Sequence, residues 1–373
     1  MTRNIHIVFT GGGTLGHLTP ALAVATNLAE RVKNLRVTFA GSGKSMERDF
    51  VTRAGFDYLA VASRPLPRRA SEAFSFLFDN MAGYFSAGRF LDEADVDAVV
   101  ASGGYVSLPM GRAAARRRLP LVLLEQNVVP GQANRWLSRW ARLMCTSFAE
   151  TEVSAKLKCP VRFTGNPTFP AAPQASTNFL ERRQLIVLGG SGGARSLNEN
   201  VPKALHKIRD QLAGWKIMHQ TGAADLDATR ELYRKLALDA EVAALWTDVR
   251  EMLPHAGLAV CRAGGTTLAE LAVAGVPAVL LPYPNAAENH QRKNAAVFAS
   301  AGAASMVDEI DPEGRLDDRL AEALAMTIGF DAAREGMSQA MQRMAQPDAA
   351  AQAAKLIWSV FSSQAKRVRP AVV

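Results

Sequence analysis

Residues 5–20 read IHIVFTGGGTLGHLTP. Ile5 to Phe9 reads as a buried strand, the glycines as a tight turn, and Pro20 to Arg31 as a helix. Strand, glycine turn and helix in that order open a parallel β-α-β unit. Gly11, Gly13 and Gly16 also match G-x-G-x-x-G, the dinucleotide-binding fingerprint. That fingerprint requires an acid at the end of the second strand to grip a ribose. Here the second strand, Arg36 to Ala40, runs out through VTFAGSGK (37–44) without one. A turn facing phosphate or sugar, followed by His17, fits the same residues.

The alternation continues along the chain. Strands are predicted at Ala98 to Ala101 and Pro120 to Leu124, then again at Gln184 to Leu188, Trp215 to Gln220, Leu258 to Cys261 and Ala278 to Leu281. Between the two series lies KCPVRFTGNPTFPAAPQASTNFLERR (158–183), whose four prolines read as a linker. Two α/β halves follow, each opening with a strand, a glycine-rich turn and a helix. Four such turns stand out, at 11–16, 102–105, 189–194 and 263–267, with a weaker one at 41–43. Glycine lets backbone N–H groups approach a ligand, and a helix starting there favours phosphate. Tight βα turns also need glycine for their own sake; four of them with Ser or Thr nearby favour a phosphate or sugar ligand.

With 373 residues, two domains are expected. Three cysteines, Cys145, Cys159 and Cys261, lie far apart, which points away from zinc or a disulfide framework and toward a reducing cytoplasm. The N-terminus has no signal-peptide pattern, and no apolar run reaches the ~18 residues of a membrane span. Net charge is +8. Residues 1–166 hold 21 Lys and Arg against 13 Asp and Glu, and the remainder holds 22 of each, so the excess is N-terminal. Such a field suits nucleic acid, a phosphate-bearing substrate or an anionic membrane, with plain solubility as the bland alternative. No nucleic-acid motif accompanies it.

CRAGGTTLAELAVAGVPAVLLPYPNAAENHQRKNA (261–295) is the most informative stretch. A helix starting near Gly265 could hold a diphosphate, and Glu270 could accept bonds from two ribose hydroxyls or simply face solvent. Asn289, His290 and Gln291 could bond a sugar. Glu125, Gln126 and Asn127 end a strand, where they serve either ligand binding or turn capping.

These pieces in this order resemble the MurG family, the UDP-N-acetylglucosamine:lipid I transferases: GGGTLGHLTPALAVA, SGGYVSLP, LEQNVVPGQANRWL, TGNP, LGGSGGARSLNENVP, and CRAGGTTLAELAVAGVPAVLLPYP with ENHQRKNA. The resemblance implies an α/β GT-B fold, two Rossmann-like domains with parallel sheets facing across a cleft. It implies an N-terminal acceptor- and membrane-side domain at 1–165 and a UDP-GlcNAc-binding domain at 166–348. A last helix near 349–363 could pack back on the first domain. The implied activity is inverting transfer of GlcNAc to lipid I, giving lipid II. Donor contacts then fall on Thr14, Leu15, Gly16, Asn127, Ser191, Asn198, Trp246, Arg262, Gly265, Thr266, Thr267, Leu268, Glu270 and Gln291. Three positions depart from the family pattern. Leu15 replaces a glycine and so requires negative φ, Leu124 stands where a histidine is frequent, and Phe169 replaces an arginine.

Inverting transfer needs a general base near neutral pH, and His17 is the candidate, the alternative being helix capping or a bond to phosphate. Neither metal nor cofactor is expected. The lipid acceptor implies peripheral attachment to the anionic cytoplasmic face of the membrane. SRPLPRRASEAFSFLFDNMAGYFSAGRF (63–90) sets Arg64, Arg68 and Arg69 ahead of Phe74, Phe76, Leu77, Phe78, Met81, Tyr84 and Phe85, with Arg112, Arg116, Arg117 and Arg118 further on. As a group the aromatics read first as a core-packing face, with an interfacial helix as the competing reading. The other readings are a transferase of a different UDP-sugar, a UDP-sugar 2-epimerase, or a silent nucleotide-sugar-binding protein.

Overall fold

In the computed structural model, residues 4–67, 69–151, 157–170, 178–190, 192–246, 249–310 and 314–368 are described. The chain divides into two compact units, Met1–Phe169 with Pro347–Val373, and Pro170–Gln346.

The strands of the first unit are β1 (Ile5–Thr10), β2 (Leu35–Gly41), β3 (Asp57–Ala60), β4 (Ala98–Ala101), β5 (Leu121–Glu125), β6 (Leu143–Thr146) and β7 (Val161–Phe163). They form one parallel sheet in the order β3-β2-β1-β4-β5-β6-β7. Its helices are α1 (Leu15–Arg31), α2 (Ser45–Arg53), α3 (Ala73–Glu93), α4 (Ser107–Arg116) and α5 (Gln132–Leu137). The strands are near-continuous apolar runs because both faces of the sheet are covered. Ile7 and Phe9 point into a core built with Leu18, Leu22 and Leu28 of α1. Val8 points into a second core with Ala87 and Leu91 of α3 and Met110 and Ala113 of α4.

The second unit repeats the plan with β8 (Gln184–Leu188), α6 (Arg195–Lys207), β9 (Lys216–Gln220), α7 (Leu226–Lys235), β10 (Glu241–Ala243), α8 (Val249–Met252), β11 (Ala256–Cys261), α9 (Gly265–Ala274), β12 (Ala278–Leu280), α10 (His290–Ser300), β13 (Ala304–Met306), α11 (Leu316–Ile328) and α12 (Asp331–Arg343). Its sheet is parallel in the order β10-β9-β8-β11-β12-β13. The final helix, α13 (Ala349–Val368), packs on α1 and puts Ala353, Ala354 and Ile357 into the first unit's core.

In both sheets the order reverses beside the first strand, between β1 and β4 and between β8 and β11. Open α/β sheets bind ligands outside the strand ends at such a switch point. The four strongest glycine turns follow these four strands.

Three local readings change. The helix read from Pro20 begins at Leu15, so Pro20 lies inside α1 and Leu15, Gly16 and His17 form its first turn rather than a loop. Part of the 158–183 linker is strand β7, an edge strand too short to show a pattern. The aromatics of α3 divide: Tyr84 and Phe90 pack against the second core, while the rest of the stripe faces outward. Phe74, Leu77, Phe78, Met81 and Phe85 are 49 to 79% exposed, and their i, i+3, i+4, i+7 and i+11 spacing puts them on one side of the helix. The inner side is small because there is no room. A Cβ on Gly83 would lie 1.9 Å from the Ala62 carbonyl oxygen, and one on Gly88 would lie 2.8 Å from the Arg117 guanidinium. None of the described helices is long and apolar enough to cross a membrane.

Candidate active site

The turn after β1 is held from two sides. Gly13, at φ +91°, donates its N–H to Glu47 Oε1 at 2.7 Å. On the other side, a Cβ on Gly104 would lie 2.4 Å from the Gly12 carbonyl oxygen, so only glycine lets the turns after β1 and β4 touch. Thr14 is the N-cap of α1, and His17 is the third helical residue.

His17 is half-buried, and its Nδ1 lies 3.0 Å from the Ser102 carbonyl oxygen and 3.1 Å from Gln126 Oε1. The Gln126 amide is oriented by its other end, which donates to the Leu124 carbonyl at 3.2 Å. A carbonyl oxygen only accepts, so Nδ1 carries the proton and Nε2 presents its lone pair. Gly103, at φ +92°, leaves space for the ring; a Cβ there would sit 3.2 Å from Nδ1.

Of the two readings of Glu125, ligand binding or turn capping, its bonds match the second. Glu125 is 2% exposed and accepts from the N–H groups of Asn127 and Gly131 and from the amide of Asn134, at 2.8 to 3.0 Å. Asn127, also bonded to it through its side chain, remains partly exposed.

The departures at Leu15, Leu124 and Phe169 have physical reasons. Leu15 keeps helical φ, and its side chain packs on the first core. Leu124 is buried in that same core, and Phe169 packs against it where a cation would be expelled.

In the second unit, Gly265, Thr266 and Thr267 form the first turn of α9 behind the N-cap Gly264. Glu270 is one turn on and half-buried. Gln291 stands in the first turn of α10, its Oε1 accepting from Tyr283 N at 2.9 Å. Glu288 and Asn289, just before that helix, both take left-handed φ, 52° and 55°. Such strain in non-glycine residues gathers at ligand sites. Trp246 is half-buried and donates its backbone N–H to Gln220 Oε1 at 3.1 Å. Ser191 lies outside the described residues, as does Arg68.

Three residues expected at the donor have partners inside the protein. Leu268 is fully buried, and its N–H is bonded to Gly264. Asn198 is 2% exposed; it donates to the Thr221 carbonyl at 3.0 Å and Asp225 at 2.9 Å and meets His219 Nε2 at 3.1 Å. Arg262 pairs with Glu309, donates to Ser196 Oγ at 2.9 Å and to the Leu281 carbonyl at 3.1 Å, and lies over the Tyr283 ring. A partly buried cation needs such partners, so Arg262 ties the ends of β11 and β12 to α6.

His219 is itself fully enclosed, its Nδ1 3.0 Å from Tyr233 Oη, and burial pushes its imidazole down to about 3. All three cysteines are buried, and desolvation raises their thiols, to about 12 at Cys145 and Cys261 and about 11 at Cys159. They are neither nucleophiles nor ligands in this state.

Known proteins share this build. Residues 7–146 match the glycosyltransferase family 28 N-terminal domain, and residues 184–353 match the glycosyltransferase family 28 C-terminal domain. The crystal structure of Acinetobacter baumannii MurG is 31% identical, covers 95% of this chain and 99% of that one, and superposes with a TM-score of 0.70. The chain belongs to the MurG family. A Methylococcus capsulatus relative is 38% identical over 356 residues, 94% of this chain and 97% of that protein. A relative from Nitratidesulfovibrio vulgaris (strain DSM 19637 / Miyazaki F) is 36% identical over 364 residues, 92% of this chain and 94% of its own length. Both MurG-family relatives are named UDP-N-acetylglucosamine--N-acetylmuramyl-(pentapeptide) pyrophosphoryl-undecaprenol N-acetylglucosamine transferase. A putative UDP-N-acetylglucosamine 2-epimerase from Listeria monocytogenes superposes with a TM-score of 0.68 at 14% identity, a likeness of fold alone. Membership of the MurG family thus selects the transferase over the epimerase reading.

Among the residues described, sequence reasoning missed Glu47 and the Gln126–His17 contact. Glu47 sits in GSGKSMERD, just past the weaker glycine turn at 41–43. Nothing local marks it as fully buried.

Proposed function

We infer that this chain transfers GlcNAc from UDP-GlcNAc to the C4 hydroxyl of undecaprenyl-diphospho-MurNAc-pentapeptide, with inversion, giving lipid II. The observation that carries the mechanism is His17, with Nδ1–H fixed by Ser102 and Gln126 and Nε2 left to accept a proton. Nε2 takes the hydroxyl proton as that oxygen attacks the anomeric carbon from the face opposite the diphosphate. The bond to UDP breaks, and its electron pair stays on the β-phosphate oxygen. N–H groups at the glycine turns and the starts of α6 and α9 are suited to stabilise that charge. Glu270 is suited to the ribose, Trp246 to the uracil, and Gln291, Asn127 and Thr14 to the sugar and diphosphate. Ser191, Leu15, Gly16, Gly265, Thr266 and Thr267 complete the proposed donor contacts through the turns they belong to.

No metal enters this scheme. Nucleic acid has no part in it either. The acceptor's lipid brings the protein to the anionic cytoplasmic face of the membrane, and two features support that reading. One is the outward apolar stripe of α3; the other is the pair Trp136 and Trp140, 39% and 36% exposed, with Arg112 over the Trp140 ring at 4.9 Å. An apolar stripe flanked by cations suits an anionic interface.

The test is incubation with UDP-GlcNAc and a lipid I analogue, with and without EDTA. Lipid II with a β linkage is expected in both. Loss of product with EDTA refutes the metal-free scheme, and a product formed without acceptor refutes the transfer.

A further inference from the structure

The most completely buried carboxylate near the first glycine turn is Glu47, whose exposure is 0%. Its two oxygens receive four hydrogen bonds from three segments. Oε1 accepts from Gly13 N at 2.7 Å and from Ser42 Oγ at 2.8 Å. Oε2 accepts from Ser42 N at 2.7 Å and from Tyr58 Oη at 3.0 Å. The phenol is in turn oriented by Gly43, whose N–H donates to it at 2.8 Å. Burial, with the neighbouring carboxylate, raises the Tyr58 phenol above its ordinary range, so it stays a donor.

The surrounding glycines make room for this group. A Cβ on Gly12 would lie 2.9 Å from Glu47 Oε1, and one on Gly41 would lie 2.7 Å from Oε2 and 2.4 Å from Tyr58 Oη. Two glycines that look like ligand-approach glycines in the sequence are therefore there to admit a carboxylate. A buried carboxylate is costly unless its lone pairs are met, and here they are met largely by backbone that must stay in place.

We propose that Glu47 is the positioning residue for His17. It fastens the turn after β1 to the ends of β2 and β3. Gly13 is the residue it grips, four positions before His17 and directly ahead of the N-cap. With the turn fixed there and Nδ1 held by Ser102 and Gln126, the imidazole is located at both its backbone and its ring. The proposal rests on the reading of His17 as the base.

The amide isostere tests it because each oxygen of Glu47 faces a fixed backbone N–H, Gly13 on one side and Ser42 on the other. In Glu47→Gln one of those N–H groups must face an NH2 group whichever way the amide turns. Steady-state kinetics are measured for wild type, Glu47→Gln, Tyr58→Phe, His17→Ala and both double variants with His17→Ala, varying UDP-GlcNAc and a lipid I analogue. A shift of the catalytic group by about an ångström costs up to about 100-fold, so Glu47→Gln is expected to lower kcat by about 10–100-fold. The KM for UDP-GlcNAc should stay within about twofold, and Tyr58→Phe should lower kcat by about threefold. In the His17→Ala background both substitutions should cost less than about twofold, because residues acting as a unit are not additive.

Wild-type kcat in Glu47→Gln overturns the proposal, as does the same fold loss with and without His17. If Glu47→Gln does not fold, Tyr58→Phe decides by the same criterion of additivity. The two readings separate cleanly. Full turnover in His17→Ala removes the base, while an unaffected Glu47→Gln beside a crippled His17→Ala removes only the positioning role.

Discussion

The turn after β1 and the turn after β8 share one plan, a buried strand, a run of glycines and a helix, yet different forces hold them. The first adds side-chain bonds to main-chain ones such as Gly11 N to the Ala40 carbonyl at 3.3 Å. Glu47 grips Gly13, Ser102 Oγ donates to the Thr10 carbonyl, and Ser107 Oγ lies 2.7 Å from the Gly103 carbonyl. In the second, the bonds among the described residues of the turn run through main chain. Gly189 N donates to the Gln220 carbonyl at 3.1 Å and Gly193 N to the Gly190 carbonyl at 3.1 Å, while a Cβ on Gly193 would lie 2.2 Å from the Thr221 carbonyl oxygen. The third residue of the following helix is His17 in α1, a fully buried Leu197 in α6 and Thr267 in α9. One turn geometry thus leads into a histidine in one unit and a leucine or a threonine in the other. The glycines give access; the residue one turn into the helix and the buried groups behind it decide the chemistry.

The comparison breaks most visibly at His17. His17→Ala is expected to lower kcat by about 10²–10⁴-fold, the usual worth of a general base, in an assay of lipid II formation. Glu270→Ala should act on the other side of the division. Losing charge-assisted bonds to a ribose should raise the KM for UDP-GlcNAc by about 10–100-fold, with a smaller change in kcat. An equal fall in kcat and kcat/KM would assign Glu270 to the transition state instead.

A smaller effect is expected at the surface of the first unit. Replacing Phe74, Phe78 and Phe85 together by Ser should reduce flotation with anionic vesicles by about tenfold and leave the fold intact, since all three side chains are exposed. Unchanged flotation at low and high salt would return α3 to an ordinary surface helix.

The smallest expected effect concerns stability. His219 is held neutral, with its folded pKa pushed down to about 3 from the ordinary imidazole value of about 6.5. Between those values the unfolded chain binds the extra proton, so stability is complete above about pH 6.5 and falls as pH drops toward 3. His6 in β1 is shifted in the same direction, mainly by burial. Melting temperatures should therefore fall on acidification below pH 6.5, and His219→Gln should flatten that slope.

The alternation of strand and helix was legible because the central strands are buried on both faces and run apolar without interruption. The edge strands β7, β10 and β13, three residues each, carry no such signal. The glycine turns and His17 were legible as local patterns, whereas the partners of His17 were not. Ser102 is 85 positions away and Gln126 109, and only the sheet order brings them together. The face of α3 was open to two readings for a physical reason. Aromatics at helical spacing look the same whether they face a core or a membrane, and what decides is Gly83 and Gly88 pressing the opposite side against the fold. The intramolecular partners of Arg262 and Asn198 and the burial of Leu268 were equally illegible, since they depend on distant segments.

The division of labour between the two units is tested most directly by titration calorimetry of UDP-GlcNAc into His17→Ala. The account predicts a Kd within about twofold of wild type despite the lost turnover, since a mutation confined to transition-state interactions leaves ground-state binding alone. Donor affinity that falls in step with turnover would contradict it and make His17 a donor-binding residue.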